Sequence, residues 1–492
     1  MTDGYLLALD AGTGSCRAAL FSLDGQLAGL AQREWSHPPE DGIPGSQSFD
    51  PAGNWALICA CIREVLGRAA SPAAMRAVGC SSMGGGLVLY DRAGHELWAC
   101  ANGDARAGQE AADMLADGTA AELYRRGGGW ISLSAAPRLA WVRRHRPDLW
   151  AAARRLSMVA DWMVFRLTGT LATEASIGST SGLFDLGRRT WSPELVTLGG
   201  LDPGWFPEVV EAGTVVGHVS ALAFSQTGLT AGTPVVAGGL DTALGVAGPG
   251  QAVPGELTVT GGSFWKQTVV TAAPVVEPAG RLRTICHVRP GQWLVEGISW
   301  YAGFALRWLR DRAAAGQPAG RGPGYAELEE LAAAVPPGAR GLTARLARTD
   351  AWTWARWQPP FPPRPDAPAA GLGEQARAIQ EAAAYTTRRA SGMISELVGP
   401  GAGQQVTLTG GAARSRLWPQ ILADVLGCPV GVAEHTESAA LGAAILAGRA
   451  AGVLPEDPLP GSRPSDVMGP SPAGQQAYAQ LYPRWRAADQ RS

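Results

Sequence analysis

The chain has 492 residues, 46% apolar and 17% charged, with a formal net charge of −2; that length exceeds one ordinary core and predicts two large folded domains. A sequence pI of about 6.3 and the lack of any basic cluster interleaved with aromatics exclude nucleic acid and anionic bilayers as partners. No apolar run is long enough to span a membrane, and seven scattered cysteines without metal-type spacing predict reduced thiols in a cytoplasmic protein.

Residues 6–9 and 18–21 read as strands flanking the turn Asp10-Ala11-Gly12-Thr13-Gly14-Ser15-Cys16-Arg17. A glycine-rich hairpin lets backbone N–H groups approach an oxyanion. Thr13, Ser15 and Arg17 add donors, and Asp10 at the strand end is placed to hold a hydrated cation, the combination that polyphosphate with Mg²⁺ requires. An ordinary Asp-Ala-Gly hairpin is the plainer alternative; the turn is neither a Walker A loop nor a dinucleotide fingerprint. Asp24-Gly25 signals a further hairpin into a strand at 26–32. Residues 52–69 read as a helix with Trp55, Ile58, Ile62 and Leu66 on one side.

The run 77–83 enters Gly84-Gly85-Gly86 and a second strand at 87–90, so Met83 and Gly84 are candidate ligand neighbours and a flexible loop is the rival reading. After Trp98, Asp104 and Arg106 either line a polyol pocket, dividing hydroxyls between acceptor and donor roles, or form a salt bridge at a helix entry. Helices are predicted at 104–117 and 134–146, the second with Arg138, Arg143 and Arg144 on polar positions. Residues 157–168 begin as strand and become helix through Asp161-Trp162, ahead of hydroxyl-rich loops at 173–176 and 180–182. A strand at 233–237 runs into Gly238-Gly239-Leu240-Asp241, exposing Asp241 at the strand's C-terminal end, where open α/β sheets bind ligands. There it accepts a proton from a substrate hydroxyl, caps the next helix, or does both. Pro249-Gly250 and Pro254-Gly255 mark a junction between domains 1–248 and 249–492.

Residues 256–270 repeat the opening pattern around Gly261-Gly262-Ser263, which implies duplicated domains facing each other, each with a phosphate-binding turn over an inter-domain cleft. Gly297 and Gly303 flank a helix start at 301–309, and a helix follows at 325–335. The segment 337–370 is irregular, and its Trp352, Trp354 and Trp357 either shield a pocket or contact another subunit; a homodimer is compatible with the sequence. A long helix at 375–396 precedes a strand at 405–409. Gly410-Gly411-Ala412 then opens helix 415–426, so helix N–H groups face a ligand. Strand 430–433 leads to a last helix at 437–450, with Glu437 at its N-terminus complementing the dipole.

Taken in order, Asp10-x-Gly12-Thr13-x-Ser15-x-Arg17, Trp98 with Asp104-Ala105-Arg106, Asp161-Trp162, Gly239-Leu240-Asp241 and Gly410-Gly411-Ala412-Ala413-Arg414-Ser415 through Ala440-Leu441-Gly442 resemble the carbohydrate-kinase family of glycerol kinase, xylulokinase and gluconate kinase. The resemblance covers about 5–450. It implies an α/β fold of two actin/hexokinase-like (ribonuclease-H-like) domains with the active site in the cleft between them, and transfer of phosphate from ATP with Mg²⁺ to a small polyhydroxy compound. It implies Asp241 as base, Asp10 toward Mg²⁺, and Gly12, Thr13, Gly14, Ser15, Arg17, Gly261, Gly262 and Ser263 toward phosphates. Gly303, Gly410, Gly411 and Ala412 border the nucleotide, and Met83, Gly84, Asp104 and Arg106 the acceptor. The phrases at 9–15, 98–107 and 260–265 are most similar to the autoinducer-2 kinase branch, which implies the linear form of 4,5-dihydroxy-2,3-pentanedione as acceptor. A xylulokinase-like sugar kinase and a non-catalytic nucleotide or sugar sensor are the alternatives. The branch has an Arg-Glu pair, and pentulose kinases Met-His-Gly, where this chain has Met83-Gly84-Gly85-Gly86. Arg138 replaces a common lysine, Gly261-Gly262-Ser263 replaces Gly-Thr-Ser, and residues 345–370 depart from the family pattern.

Overall fold

A computed structural model describes residues 4–69, 74–247, 254–262, 264–299, 301–315, 322–346, 350–353, 357–361, 370–434, 437–456 and 466–489. The N-terminal half is built on strands β1 (Tyr5–Ala11), β2 (Ser15–Ser22), β3 (Leu27–Glu34), β4 (Met75–Ser82), β5 (Val215–His218) and β6 (Pro234–Leu240), in the spatial order β5-β6-β4-β1-β2-β3. β1, β2 and β3 form an antiparallel meander, and β4 and β6 extend it in parallel. The C-terminal half repeats that plan with β7 (Leu257–Gly261), β8 (Trp265–Thr271), β9 (Arg283–Cys286), β10 (Trp293–Ser299), β11 (Val406–Thr409), β12 (Val430–Val432) and β13 (Asp466–Met468), ordered β9-β10-β8-β7-β11-β12-β13. The duplication implied by the two glycine hairpins is therefore present strand for strand in the meander and its first parallel neighbours.

Parallel strands need helices on both faces, so β1 is apolar from Leu6 to Leu9, ahead of Asp10. Leu7 and Leu9 pack on the side of helix α1 (Pro51–Leu66), which Asp50 caps by accepting the Ala52 N–H at 3.1 Å; helix α2 (Val159–Thr168) shares that core. Leu6 and Ala8 face the opposite way, into the core cluster that also takes in Ala243 and Leu244 of α3 (Asp241–Ala247). In the C-terminal half, α4 (Ala302–Ala314), α5 (Leu372–Val398) and α6 (Leu417–Leu426) surround the second sheet, followed by α7 (Ser438–Ala450) and α8 (Pro472–Asp489).

Helix α7 belongs by sequence to the second half, yet it packs on β1, β4 and β6 and lies along α3. Small residues make this possible. A Cβ on Gly79 would stand 2.4 Å from the Ala443 carbonyl oxygen, and one on Gly442 2.4 Å from that of Leu244. The two halves thus meet through a buried seam beneath the cleft.

Several expectations are corrected. Gly297 lies inside β10 rather than flanking a helix. α7 is not the last helix, since α8 follows it with Pro483 inside. Arg138 is fully buried rather than on a polar face, and its guanidinium donates to the backbone carbonyls of Gly85, Asn102, Asp104, Ser132 and Leu133 at 2.7–3.3 Å. Trp357 packs edge-on against Phe304 at 4.5 Å, and Trp352 Nε1 donates to the Ala279 carbonyl at 3.1 Å. Trp354 and the Pro249-Gly250 junction lie outside the described residues. Among the described residues no helix is long and apolar enough to cross a membrane.

Candidate active site

The two glycine hairpins face each other over the seam. In the first, Asp10 pairs with Arg17 and Ala11 with Cys16 across the strands, and the Gly12 N–H closes the turn on the Ser15 carbonyl at 3.0 Å. Trp35 Nε1 donates to the Gly12 carbonyl, His37 Nε2 meets that of Thr13, and Asn102 Nδ2 donates to Thr13 Oγ1, each at 3.0 Å. The turn is pinned from behind, so its conformation is set before a ligand arrives. In the second hairpin Gly261 pairs with Trp265 and Thr260 with Lys266, and the Gly262 N–H donates to the Phe264 carbonyl at 3.0 Å. A Cβ on Gly261 would fall 2.3 Å from that of Ala412, so this hairpin sits directly on the Gly410–Ala412 turn. Ser263 lies outside the described residues.

A cavity of about 430 Å³ runs between the hairpins, reaching Asp10, Thr13, Arg17, Asp241, Gly262 and Gly410. It opens on one side into a compartment of about 480 Å³ walled by Gly261, Gly303, Leu306, Gly411, Ala412 and Trp418. On the other side lies a narrow pocket of about 40 Å³ bounded by Thr13, Met83, Gly84, Asn102, Lys266 and, again, Asp241. Asp241 is therefore shared by the central cavity and the narrow pocket.

The geometry that presents Asp241 is built from small residues. Gly239 has φ +127°, and a Cβ there would lie 2.4 Å from Glu174 Oε2 and 2.6 Å from Ser176 Oγ. The Leu240 N–H donates to Ser176 Oγ at 3.0 Å, and the Ser176 hydroxyl donates in turn to Glu174 Oε2 at 2.5 Å. Burial pushes the Glu174 carboxyl up to about 7. Asp241 Oδ1 accepts from the Thr242 N–H at 2.6 Å and its hydroxyl at 3.0 Å, and pairs with Lys266 Nζ at 3.1 Å. Asp241 is itself the first residue of α3, and the N–H it accepts is that of the very next residue, so it stands as a cleft-facing carboxylate and not as a side-chain cap.

Asp10 is buried, and that burial pushes its carboxyl up to about 6 against the pull of Arg17, with the charge of Asp241 adding to the rise. Oδ2 holds Arg17 at 3.3 Å while buried Oδ1 has no hydrogen-bond partner. Such an orphaned oxygen suits a cation. Among the described residues no three carboxylate, histidine or cysteine side chains converge on a metal site. Arg17 also reaches Glu437 Oε2 at 3.5 Å, joining the two halves over the cavity, and Arg414 holds the other Glu437 oxygen at 3.3 Å. Glu437 makes no side-chain cap on α7.

Asp104 and Arg106 do not line these compartments. Arg106 Nε donates to both Asp104 oxygens at 2.9–3.0 Å and Nη1 to Glu40 at 2.6 Å, with both side chains of the Asp104–Arg106 pair fully buried. Asp104 Oδ2 also accepts the Gln47 N–H at 2.7 Å, and Arg106 stacks on Trp98 and Trp141 at 5.2 and 4.9 Å. The salt bridge, of the two sequence readings, is what the structure contains. Lys266, by contrast, is marked in the sequence by its rarity alone. Of 41 lysines and arginines it is the only lysine.

Models of the FGGY family of carbohydrate kinases match the chain twice, the N-terminal domain over residues 5–248 and the C-terminal domain over 265–451. The autoinducer-2 kinase of Salmonella paratyphi A is 41% identical, covering 99% of this chain and 95% of that protein. That of Yersinia enterocolitica is 42% identical, covering 91% of this chain and 87% of its own length. Among solved structures, the xylulose kinase of Rhodospirillum rubrum superposes with a TM-score of 0.80 at 27% identity, covering 98% of each chain. The duplicated sheets are thus two α/β domains of the actin/hexokinase type, with the cavity between them as their shared cleft.

Proposed function

Because the chain belongs to the FGGY family of carbohydrate kinases, whose reaction is ATP-dependent phosphorylation of a small carbohydrate or polyol, we propose that its acceptor is the linear form of 4,5-dihydroxy-2,3-pentanedione and that Asp241 is the base. The observation that carries this reading is the position of Asp241 on both the central cavity and the narrow pocket. There a carboxylate meets an acceptor hydroxyl and the end of a triphosphate at once. The choice of acceptor rests on the chain-long identity to autoinducer-2 kinases, 41–42% against 27% for the xylulose kinase.

Phosphoryl transfer demands positioning and charge neutralisation more than covalent chemistry. The adenosine occupies the larger compartment beside Gly303, Gly411, Ala412 and Trp418, and the phosphates extend between the turns at Gly12–Ser15 and Gly261–Gly262. Thr13, Ser15 and Arg17 donate to phosphate oxygens. The acceptor oxygen attacks the γ-phosphorus as its proton passes to the Asp241 carboxylate. The bond from the γ-phosphorus to the bridging oxygen breaks, and ADP leaves with that electron pair. Asp10 is the residue that would hold Mg²⁺, which when bound supplies positive charge to the phosphates. Met83 and Gly84 form the wall behind the acceptor.

The test is ADP formation and product mass with Mg-ATP and a panel of the diketone, D-xylulose, glycerol and gluconate. The reading predicts a kcat/KM for the diketone at least about tenfold above the others, the size of one well-made polar contact. Preference for D-xylulose would move the assignment to a pentulose. Asp241→Ala should abolish transfer while ATP binding stays within about twofold; near-normal turnover would remove Asp241 from the base role.

A further inference from the structure

Lys266 is the single ε-amine in a chain whose other 40 basic side chains (41 lysines and arginines less this one) are arginine. It stands on β8, one strand pair back from the second glycine turn, opposite Thr260. In the first hairpin the residue one pair back on the second strand, opposite Asp10, is Arg17. The duplicated fold therefore aims one cation into the cleft from each hairpin. Arg17 already lines the phosphate cavity between Asp10 and Glu437; Lys266 lines the same cavity and also the narrow pocket.

The company Lys266 keeps is informative. Its Nζ is 3.1 Å from Asp241 Oδ1, touches the Thr242 hydroxyl, and its side chain is 14% exposed. A carboxylate that must accept a proton is a poorer base while an ammonium rests on it. The ion pair has to open during the reaction, and the anion that can draw the ammonium away is the triphosphate end. A compact ammonium on a flexible four-carbon stem suits that exchange, whereas a guanidinium can fork onto both carboxylate oxygens and release them less readily. The opposite wall cannot supply the charge instead. A Cβ on Gly84 would come within 2.9 Å of Leu240 Cδ1 and Thr180 Cγ2, and the nearby Arg283 is held by buried Glu296.

We propose that Lys266 is a catalytic residue that pairs with Asp241 and is drawn to the γ-phosphoryl oxygens when ATP binds, freeing Asp241 to take the acceptor proton. This rests on the kinase reading above. It adds a cation delivered from β8 and a defined exchange of ion pairs. Its cationic head neutralises charge as the phosphoryl group passes to the acceptor.

The experiment pairs kinetics with labelling of the lone ε-amine. Lys266→Met is expected to lower kcat by about 10²–10³-fold, the range for one preorganised cation or donor at a transferring group, with the Kd of ATP changed by less than about threefold. Lys266→Arg is expected to recover less than about a tenth of the activity; full activity in that variant would show a merely structural ion pair and overturn the proposal. In the unmodified protein, acetylation of Lys266 by acetic anhydride, followed by peptide mass, is expected to slow at least about tenfold with Mg²⁺ and a non-hydrolysable ATP analogue, but not with adenosine, since only the former brings a competing anion. Equal protection by adenosine, or none by the analogue, would also overturn it. A protein that transfers phosphate to no acceptor would refute the kinase reading, and the labelling would still decide the phosphate contact. A protein that transfers normally as Lys266→Met would refute only the lysine.

Discussion

Replacing Gly442 by alanine tests the seam between the halves with one methyl group. The new Cβ would stand 2.4 Å from the Leu244 carbonyl oxygen and 3.2 Å from its Cα, where an ordinary C···O contact is well beyond 3 Å. The obstacle is backbone, so no rotamer relieves it, and α7 must move away from α3 by roughly 1 Å, forfeiting a quarter to a half of the dispersion well along the contact. Overpacking of this kind costs about 1–3 kcal/mol, while alanine in a helix interior returns about 1 kcal/mol over glycine. The expected net change is a loss of about 0–2 kcal/mol in urea unfolding. Because α3 begins at Asp241, kcat should fall by more than the ATP affinity does. A variant stabilised by about 1 kcal/mol with unchanged turnover would show that helix propensity alone acts there and refute the close-packed seam.

Two further outcomes follow from buried acids. The Glu174 carboxyl, at about 7 in the fold against an ordinary 4.5, binds a proton more tightly folded than unfolded, so the wild type should lose stability as pH rises from about 4.5 to about 7, by roughly 3 kcal/mol. Glu174→Gln should lack that slope, which urea midpoints across the range measure; parallel slopes would place the carboxyl elsewhere on the pH scale. Arg106→Met leaves Asp104 buried and unpaired and should cost about 3–5 kcal/mol, with Asp104→Asn in the same chain restoring part of it. An acceptor KM raised without a change in melting temperature would instead give the pair a ligand role.

The parts of the site that depend on short-range chemistry were readable in the sequence. Two glycine turns with hydroxyls, a strand ending in Gly-Gly-Leu-Asp and a strand ending in Gly-Gly each announce a backbone conformation few other residues allow, and the structure brings Gly12–Arg17, Gly261–Gly262, Gly410–Ala412 and Asp241 to one cleft. What stayed hidden depends on partners distant in the chain. Arg138 reads as one more surface arginine until five backbone carbonyls from three loops converge on it. Glu437 reads as a dipole complement until Arg17 claims it. α8 carries Pro483 in its interior, which breaks the pattern a periodicity search rewards. Lys266 was legible only by counting, since nothing in its neighbours marks it.

The seat of α7 has a consequence for how the molecule is made. The strands it covers start at Tyr5, while the helix itself ends at Ala450, behind nearly every other strand and helix of the second half. During synthesis the face carrying Leu6, Ala8 and Ala77 emerges early and waits for its cover until the far end of the chain arrives. The nascent protein therefore carries an adhesive surface for most of its time on the ribosome, and a chain interrupted anywhere before α7 is a substrate for chaperones and proteases rather than a half-enzyme.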